Sequence, residues 1–323
     1  MDIQHLSGLI AAPFTPMNSD GSLNLNIIAS YYQFLKHNGV KGAFICGSTG
    51  EGVSLTLNEK KEVAEAWANC TRDDNDFKVM TLLGGTSIAD CIDLAKHAKS
   101  IGLYAVSFTA PFYFKPASVE MLAKCCIEIG SAVPDLPFYY YHIPVLNGVQ
   151  FEMFSLLKAI DGKMPNFAGI KYTHEDFMDY LSCLHFREGK YDMLWGRDEN
   201  MLAALVLGAK GAVGSTFNYA APLYHKMIDA FDKMDLITAR NLQQKSIDMI
   251  RLLGNYGGIS VGKTFMKSVG MDCGEFRLPV NNMSESDFEL FKKDLTKISF
   301  SKYQSQPPNF EKTESSKYHL QAP

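Results

Sequence analysis

Eight short apolar runs, each followed by a segment of helical periodicity, restrict this chain to a small set of folds. The runs cover 8–12, 42–47, 78–83, 104–110, 138–142, 168–173, 193–196 and 212–216. They are rich in β-branched and aromatic residues and apolar on both faces, as parallel strands covered by helices must be. Between them, Leu25, Ile28, Tyr32 and Leu35 fall on one stripe, as do Ile88, Cys91, Ala95 and Ala98. Thr56 with Glu59, and Ser87 with Asp90, match the capping box that opens a helix. Eight alternations predict an α/β fold, a closed (β/α)8 TIM barrel, with an open doubly wound sheet as the alternative.

Strand signals stop near Ala220, and 224–231, 236–253, 262–269 and 285–298 read as helices. We therefore expect a catalytic barrel over 1–234, a C-terminal helical appendage over 235–300, and a polar tail over 301–323. The tail, which opens Ser301-Lys302-Tyr303-Gln304, should be poorly ordered or an arm lying on the surface.

The chain has 323 residues, and 31 Lys and Arg against 35 Asp and Glu leave a net charge of −4. That balance offers no electrostatic footprint for nucleic acid or anionic lipid, so the expected partner is a small molecule. No basic-then-apolar leader opens the sequence, and no stretch approaches about 18 uninterrupted apolar residues. A cytoplasmic protein is expected, with no membrane partner. Seven cysteines lack CxxC pairs and read as reduced packing residues, so neither metal nor cofactor is expected.

In such a barrel the reactive groups sit at the C-terminal ends of strands and in the loops that follow. That rule selects Gly47-Ser48-Thr49-Gly50-Glu51 after the second run, Tyr113 after the fourth and Tyr141 in the fifth. It adds Lys171 and Thr173 in the sixth, Gly196, Asp198 and Glu199 after the seventh, and Ser215 in the eighth. Lys171 interrupts the apolar strand Phe167-Ala168-Gly169-Ile170-Lys171, and lysine is rarely buried without a reason. A desolvated amine loses basicity, attacks a ketone and forms an imine, an electron sink for C–C cleavage. The alternative is a lysine that snorkels from a strand end.

Strand alternation sends Tyr139 and Tyr141 to one face and Tyr140 to the other; a phenol in a polar mouth moves protons, though strand tyrosines also simply pack. The Ser48-Thr49 loop suits a carboxylate or a phosphate, or is an ordinary tight turn. Asp198 and Glu199 are either polyol ligands or first-turn acids that complement a helix dipole. Gly208, Gly211 and Gly214 admit a phosphate cradle, but tight turning is the simpler reading. Residues Gly257 to Thr264 fit GxxxxGK[ST], yet Met249 to Gly254 before them reads as a helix end where a phosphate loop needs a strand, so no nucleotide is expected.

Together, Gly47-Ser48-Thr49-Gly50-Glu51, Tyr141-x-Ile143-Pro144, Gly169-Ile170-Lys171 and Gly214-Ser215-Thr216 resemble the dihydrodipicolinate synthase and N-acetylneuraminate lyase superfamily, over about Leu6 to Leu295. The resemblance implies that Lys171 forms a Schiff base with a keto acid and that Ser48 and Thr49 hold its carboxylate. It implies that Tyr141 exchanges a proton with the C4 oxygen, with Ser48 in a short relay. Tyr113 resembles the tyrosine that members lend to a neighbouring subunit, which implies a homo-oligomer, typically a homotetramer. Members that make dihydrodipicolinate place an arginine after the Tyr-x-x-Pro strand, where this chain has Val145-Leu146-Asn147-Gly148. Trp195-Gly196-Arg197-Asp198-Glu199 instead resembles the branch that cleaves sialic acid (N-acetylneuraminate) to pyruvate and N-acetylmannosamine, with Thr173, Gly196, Asp198, Glu199 and Ser215 binding the polyol. His142 departs from the asparagine often found there. Another pyruvate-dependent aldolase, acting on a 2-keto-3-deoxy sugar acid, and a non-catalytic sugar-acid binding protein are the alternatives.

Overall fold

The computed structural model describes residues 3–308. Eight parallel strands, β1 (Gly8–Ala11), β2 (Gly42–Ile45), β3 (Lys78–Leu82), β4 (Ala105–Thr109), β5 (Phe138–His142), β6 (Phe167–Tyr172), β7 (Asp192–Trp195) and β8 (Gly211–Gly214), form the sheet. They pair in sequence order, and β1 pairs with β8 through Gly8↔Gly211 to Ala11↔Gly214, so the barrel is closed and the open-sheet alternative falls. Each predicted run lies within one or two residues of its strand. The second ends early because Cys46 turns into the left-handed region at φ 54°, which terminates the ladder and opens the loop that follows.

Alternation divides the strand side chains between two cores. Ile10, Phe44, Met80, Leu82, Tyr139, Leu194 and Val213 fill the barrel lumen. Tyr31, Phe34, Trp67, Phe138, Tyr140 and Ile170 pack in the layer between strands and helices. At the foot, Asp192 accepts from the Tyr139 hydroxyl at 2.9 Å and from the Leu6 amide at 3.2 Å. Burial raises its carboxyl to about 6, against those hydrogen bonds. The N-terminal end is thus plugged, and the C-terminal end carries the polar groups.

Thr56 and Glu59 close a reciprocal capping box on the Leu57–Thr71 helix. Ser87 accepts from the Asp90 amide at the start of Ile88–Ser100. After β8 come Phe217–Asp232, Leu236–Asn255, Val261–Ser268 and Glu285–Lys297. The first begins seven residues earlier than the sequence pattern predicts. Pro222 mimics a breaker there, but Ala220 leaves helical geometry (φ −139°, ψ 25°) and the kink accommodates the proline.

The segment beyond Ser301 is an arm tied to the barrel as far as it is described. Ser305 is fully buried; its amide donates to Tyr219 O at 2.8 Å and its hydroxyl accepts from the Ala221 amide at 3.2 Å. Gln306 and Asn38 exchange two bonds, at 2.9 and 2.8 Å. The rest of the predicted tail, 309–323, lies outside the described residues. Among the described residues all seven cysteines are free, no helix is long and apolar enough to cross a membrane, and no three potential metal ligands cluster.

Candidate active site

Lys171 sits near the C-terminal end of β6, opposite Tyr141 of β5, with its side chain in the lumen and only 4% exposed. Its Nζ lies 3.9 Å from the Phe44 ring centroid and 4.1 Å from that of Tyr141. Burial lowers its pKa to about 7, and the Asp198 carboxylate opposes that shift. The aromatic faces return part of the desolvation cost without supplying a counter-ion. Near neutrality a large fraction of the amine is therefore neutral. The snorkelling alternative fails, because the amine stays inside.

This placement sets a pH dependence. Below about 7 the amine is protonated and inert towards carbonyls; above it the nucleophilic form dominates. The rate at which borohydride traps a small ketone on Lys171 should rise through about pH 7 and level off. A rate still climbing past pH 9, as an ordinary lysine gives, would contradict the buried setting.

Tyr141 is 4% exposed at the end of β5. Burial raises its phenol to about 12, while the neighbouring Ser48 and Thr173 hydroxyls pull the other way. The phenol is consequently a neutral proton carrier flanked by two hydroxyls. Thr173, just beyond β6, has a buried Oγ1 that neighbours the Tyr141 phenol and makes no well-formed hydrogen bond among the described residues. Gly196 is required beside it, since a Cβ there would stand 2.0 Å from that oxygen.

Ser48 and Thr49 ride on a tight loop after β2. Gly52 N donates to Gly47 O at 3.0 Å, Glu51 N to Ser48 O at 3.2 Å, and Thr15 Oγ1 to Gly50 O at 2.6 Å. Thr49 is buried and Ser48 half-buried. The tight-turn reading and the ligand reading are both compatible with this geometry, since the turn is what presents the hydroxyls.

On the opposite side, Asp198 is 6% exposed. Its Oδ2 accepts from Thr216 N at 3.0 Å and Thr216 Oγ1 at 2.6 Å. Thr216 Oγ1 also bonds Tyr224 Oη at 2.6 Å, and Tyr224 bonds Ser246 Oγ at 2.7 Å. Ser246 and Gln243 on Leu236–Asn255 both donate to the Asp198 carbonyl, at 3.4 and 3.3 Å. A Cβ on Gly214 would lie 2.3 Å from Asp198 Oδ1, so this glycine makes room for the carboxylate rather than cradling a phosphate. Burial raises the Asp198 carboxyl to about 6, so it is mostly an anionic acceptor at neutral pH. A mere helix-dipole role does not require such an anchorage.

Lys171, Tyr141, Ser48, Thr173 and Asp198 therefore share one mouth. Glu199 stands at its edge, half-buried and 3.4 Å from Arg197, and Ser215 is half-buried at the end of β8. Tyr113 is not gathered in: it lies in the loop after β4, 80% exposed, packed on Phe114. The corner after Pro144 carries no cation among residues 145–148. Asn147 turns inward to donate to Thr109 Oγ1 at 3.0 Å and accept from Val149 N at 2.9 Å. Two supports lay beyond sequence reasoning: the Thr216–Tyr224–Ser246 chain, and the pairing of Glu51 with Lys263 at 2.8 Å. The GxxxxGK lysine is buried in an ion pair, behind the Leu236–Asn255 helix rather than a strand, as the rejection of a phosphate loop anticipated.

The sequence pattern that defines the dihydrodipicolinate synthetase family matches residues 5–298. The chain belongs to that family. Within it, the N-acetylneuraminate lyase of Pongo abelii is 39% identical over 301 residues, covering 91% of this chain and 93% of that protein. The Homo sapiens N-acetylneuraminate lyase is 38% identical over the same length and coverage. Among solved structures, the Proteus mirabilis N-acetylneuraminate lyase superposes with a TM-score of 0.88 at 37% identity, over 92% of this chain and 100% of that one. The N-acetylneuraminate lyase (sialic acid aldolase) of Aliivibrio salmonicida gives 0.89 at 36% identity, over 92% and 98%.

Proposed function

We propose that the protein is a Schiff-base aldolase that reversibly cleaves N-acetylneuraminate to pyruvate and N-acetylmannosamine. The observation that carries this reading is the buried Lys171 amine, its basicity lowered by burial, beside the Tyr141 phenol, in a chain 38–39% identical over nine-tenths of its length to the N-acetylneuraminate lyases of Pongo abelii and Homo sapiens.

The proposed sequence of steps follows from the groups present. The Lys171 amine adds to the C2 ketone of the open-chain sugar acid, and loss of water gives an iminium ion. Ser48, Thr49 and the loop amides hold the C1 carboxylate. Tyr141 takes the C4 hydroxyl proton as its own proton passes to Ser48 Oγ, whose proton moves in turn to the C1 carboxylate beside it and is later delivered to C3. The C3–C4 electron pair flows into the iminium, leaving an enamine and releasing N-acetylmannosamine as the aldehyde. Protonation of the enamine at C3 and hydrolysis then free pyruvate and restore the amine.

Thr173, the Gly196 carbonyl, Asp198, Glu199 and Ser215 are the proposed polyol ligands. Anionic acceptors suit hydroxyls and repel a second carboxylate, which favours a sugar over a dicarboxylate. Asp198→Ala should raise the KM for N-acetylneuraminate by about tenfold or more while pyruvate trapping on Lys171 stays near wild type. An unchanged KM would remove Asp198 from the sugar site.

We further propose a homotetramer in which Tyr113 completes a neighbour's relay. Phe112, Tyr113 and Phe114 are exposed, as are Val145 and Leu146 after the adjacent strand, an apolar rim suited to a second copy. Sedimentation equilibrium reads this directly, and a monomer at micromolar concentration would refute it. The cytoplasm is the compartment consistent with the free cysteines. The deciding assay compares pyruvate release from N-acetylneuraminate and from 2-keto-3-deoxygluconate. Activity confined to the second substrate would replace this reading with the sugar-acid alternative.

A further inference from the structure

We propose that Lys263, in the C-terminal appendage, is a positioning residue that fixes the Ser48-Thr49 loop through Glu51 and so sets affinity for the substrate carboxylate. This rests on the reading that the loop binds that carboxylate.

The loop is held in a conformation it would not keep alone. Cys46 and Glu51, at its two ends, have φ of 54° and 56°, in the left-handed region that non-glycine residues avoid. Such backbones persist only where their surroundings over-determine them. Its base is also crowded: a Cβ on Gly52 would lie 1.8 Å from the Cys46 carbonyl oxygen.

The Glu51 side chain, 4% exposed, supplies the missing constraint. Its Oε1 accepts from Lys263 Nζ at 2.8 Å, and its Oε2 from the Arg277 amide at 2.9 Å. Both carboxylate oxygens are thus engaged by residues more than 200 positions away in sequence. Lys263 is equally buried, donates also to Glu275 O at 2.8 Å, and lies 4.8 Å from the Phe276 ring centroid. The Arg277 side chain extends the brace to the far side of the loop. It donates to Ser54 O at 3.2 Å and to Gly21 O at 2.8 Å, and pairs with Glu59, whose carboxyl it holds down at about 2.

A buried ion pair is a poor way to add stability, because two desolvated charges often do no better than apolar side chains of equal volume. What it adds is geometry: each partner accepts one placement of the other. Here the placement determines where Ser48 and Thr49, three and two residues before Glu51, present their hydroxyls and amides.

The experiment measures borohydride trapping on the full-length protein with pyruvate and with acetone, a ketone that lacks the carboxylate, for wild type, Lys263→Met and Glu51→Gln. In the variants the half-saturating pyruvate concentration should rise by about tenfold, because small misplacements of a binding group are costly. The saturated trapping rate, its pH midpoint and the rate with acetone should stay within about twofold. A variant with a lower thermal midpoint but an unchanged pyruvate half-saturation would reduce the pair to a structural role and overturn the proposal. Glu51→Gln, which keeps the shape and the bond to the Arg277 amide, decides the matter if Lys263→Met fails to fold. Absence of trapping in the wild type would instead defeat the aldolase reading, and this proposal with it, so the two failures are distinct.

Discussion

Lys171→Ala should lower N-acetylneuraminate cleavage by at least about 10⁴-fold, to the limit of detection, while the protein keeps its fold. The size follows from the covalent chemistry proposed: without the amine no iminium would form, and the C3–C4 electron pair would have nowhere to go. The fold should survive because the alanine removes a desolvated amine that makes no ion pair or hydrogen bond among the described residues, and the surrounding Phe44 and Tyr141 rings can close on the space. Borohydride with pyruvate should label the wild type at Lys171 alone and leave the variant unlabelled. Normal turnover by the variant, or a label on another lysine, would end the Schiff-base reading.

Tyr141→Phe should separate imine formation from bond cleavage. Loss of the phenol removes the group proposed to exchange a proton with the C4 oxygen, and positioned acid–base groups contribute about 10²- to 10⁴-fold. We expect kcat to fall by that factor, with pyruvate trapping on Lys171 within about tenfold of wild type. The ring remains, so the packing against Phe44 at a centroid distance of 5.5 Å remains as well. A variant that loses trapping and cleavage equally would assign Tyr141 to imine formation instead of the C–C step.

The residues of the barrel mouth were legible because they break a local pattern. Lys171 is a charge in an apolar strand, and Tyr141 points inward by alternation, so both could be placed before any coordinates. Strand order then brought their loops to one end. Supports that cross the fold leave no such trace. Glu51 and Lys263 look like an ordinary loop acid and a helix lysine until the appendage folds back over 212 residues. Thr216, Tyr224 and Ser246 carry no periodic signature, and only the packing of Leu236–Asn255 beside Phe217–Asp232 makes them a chain of hydroxyls behind Asp198. The bound part of the arm was half legible: its polarity showed, but the burial of Ser305 depends on a kinked helix whose free backbone groups lie far away in sequence.

The aromatic surroundings of Lys171 have a consequence for the intermediate. A compact ammonium draws most of its stability from water, which the lumen excludes, so that cation is disfavoured there. An iminium spreads its charge over nitrogen and carbon, owes less to hydration, and would lie against the faces of Phe44 and Tyr141. On the proposed mechanism, the same chamber would discriminate between two cations of equal charge by how diffuse they are, and tilt the balance towards the one from which carbon–carbon cleavage proceeds.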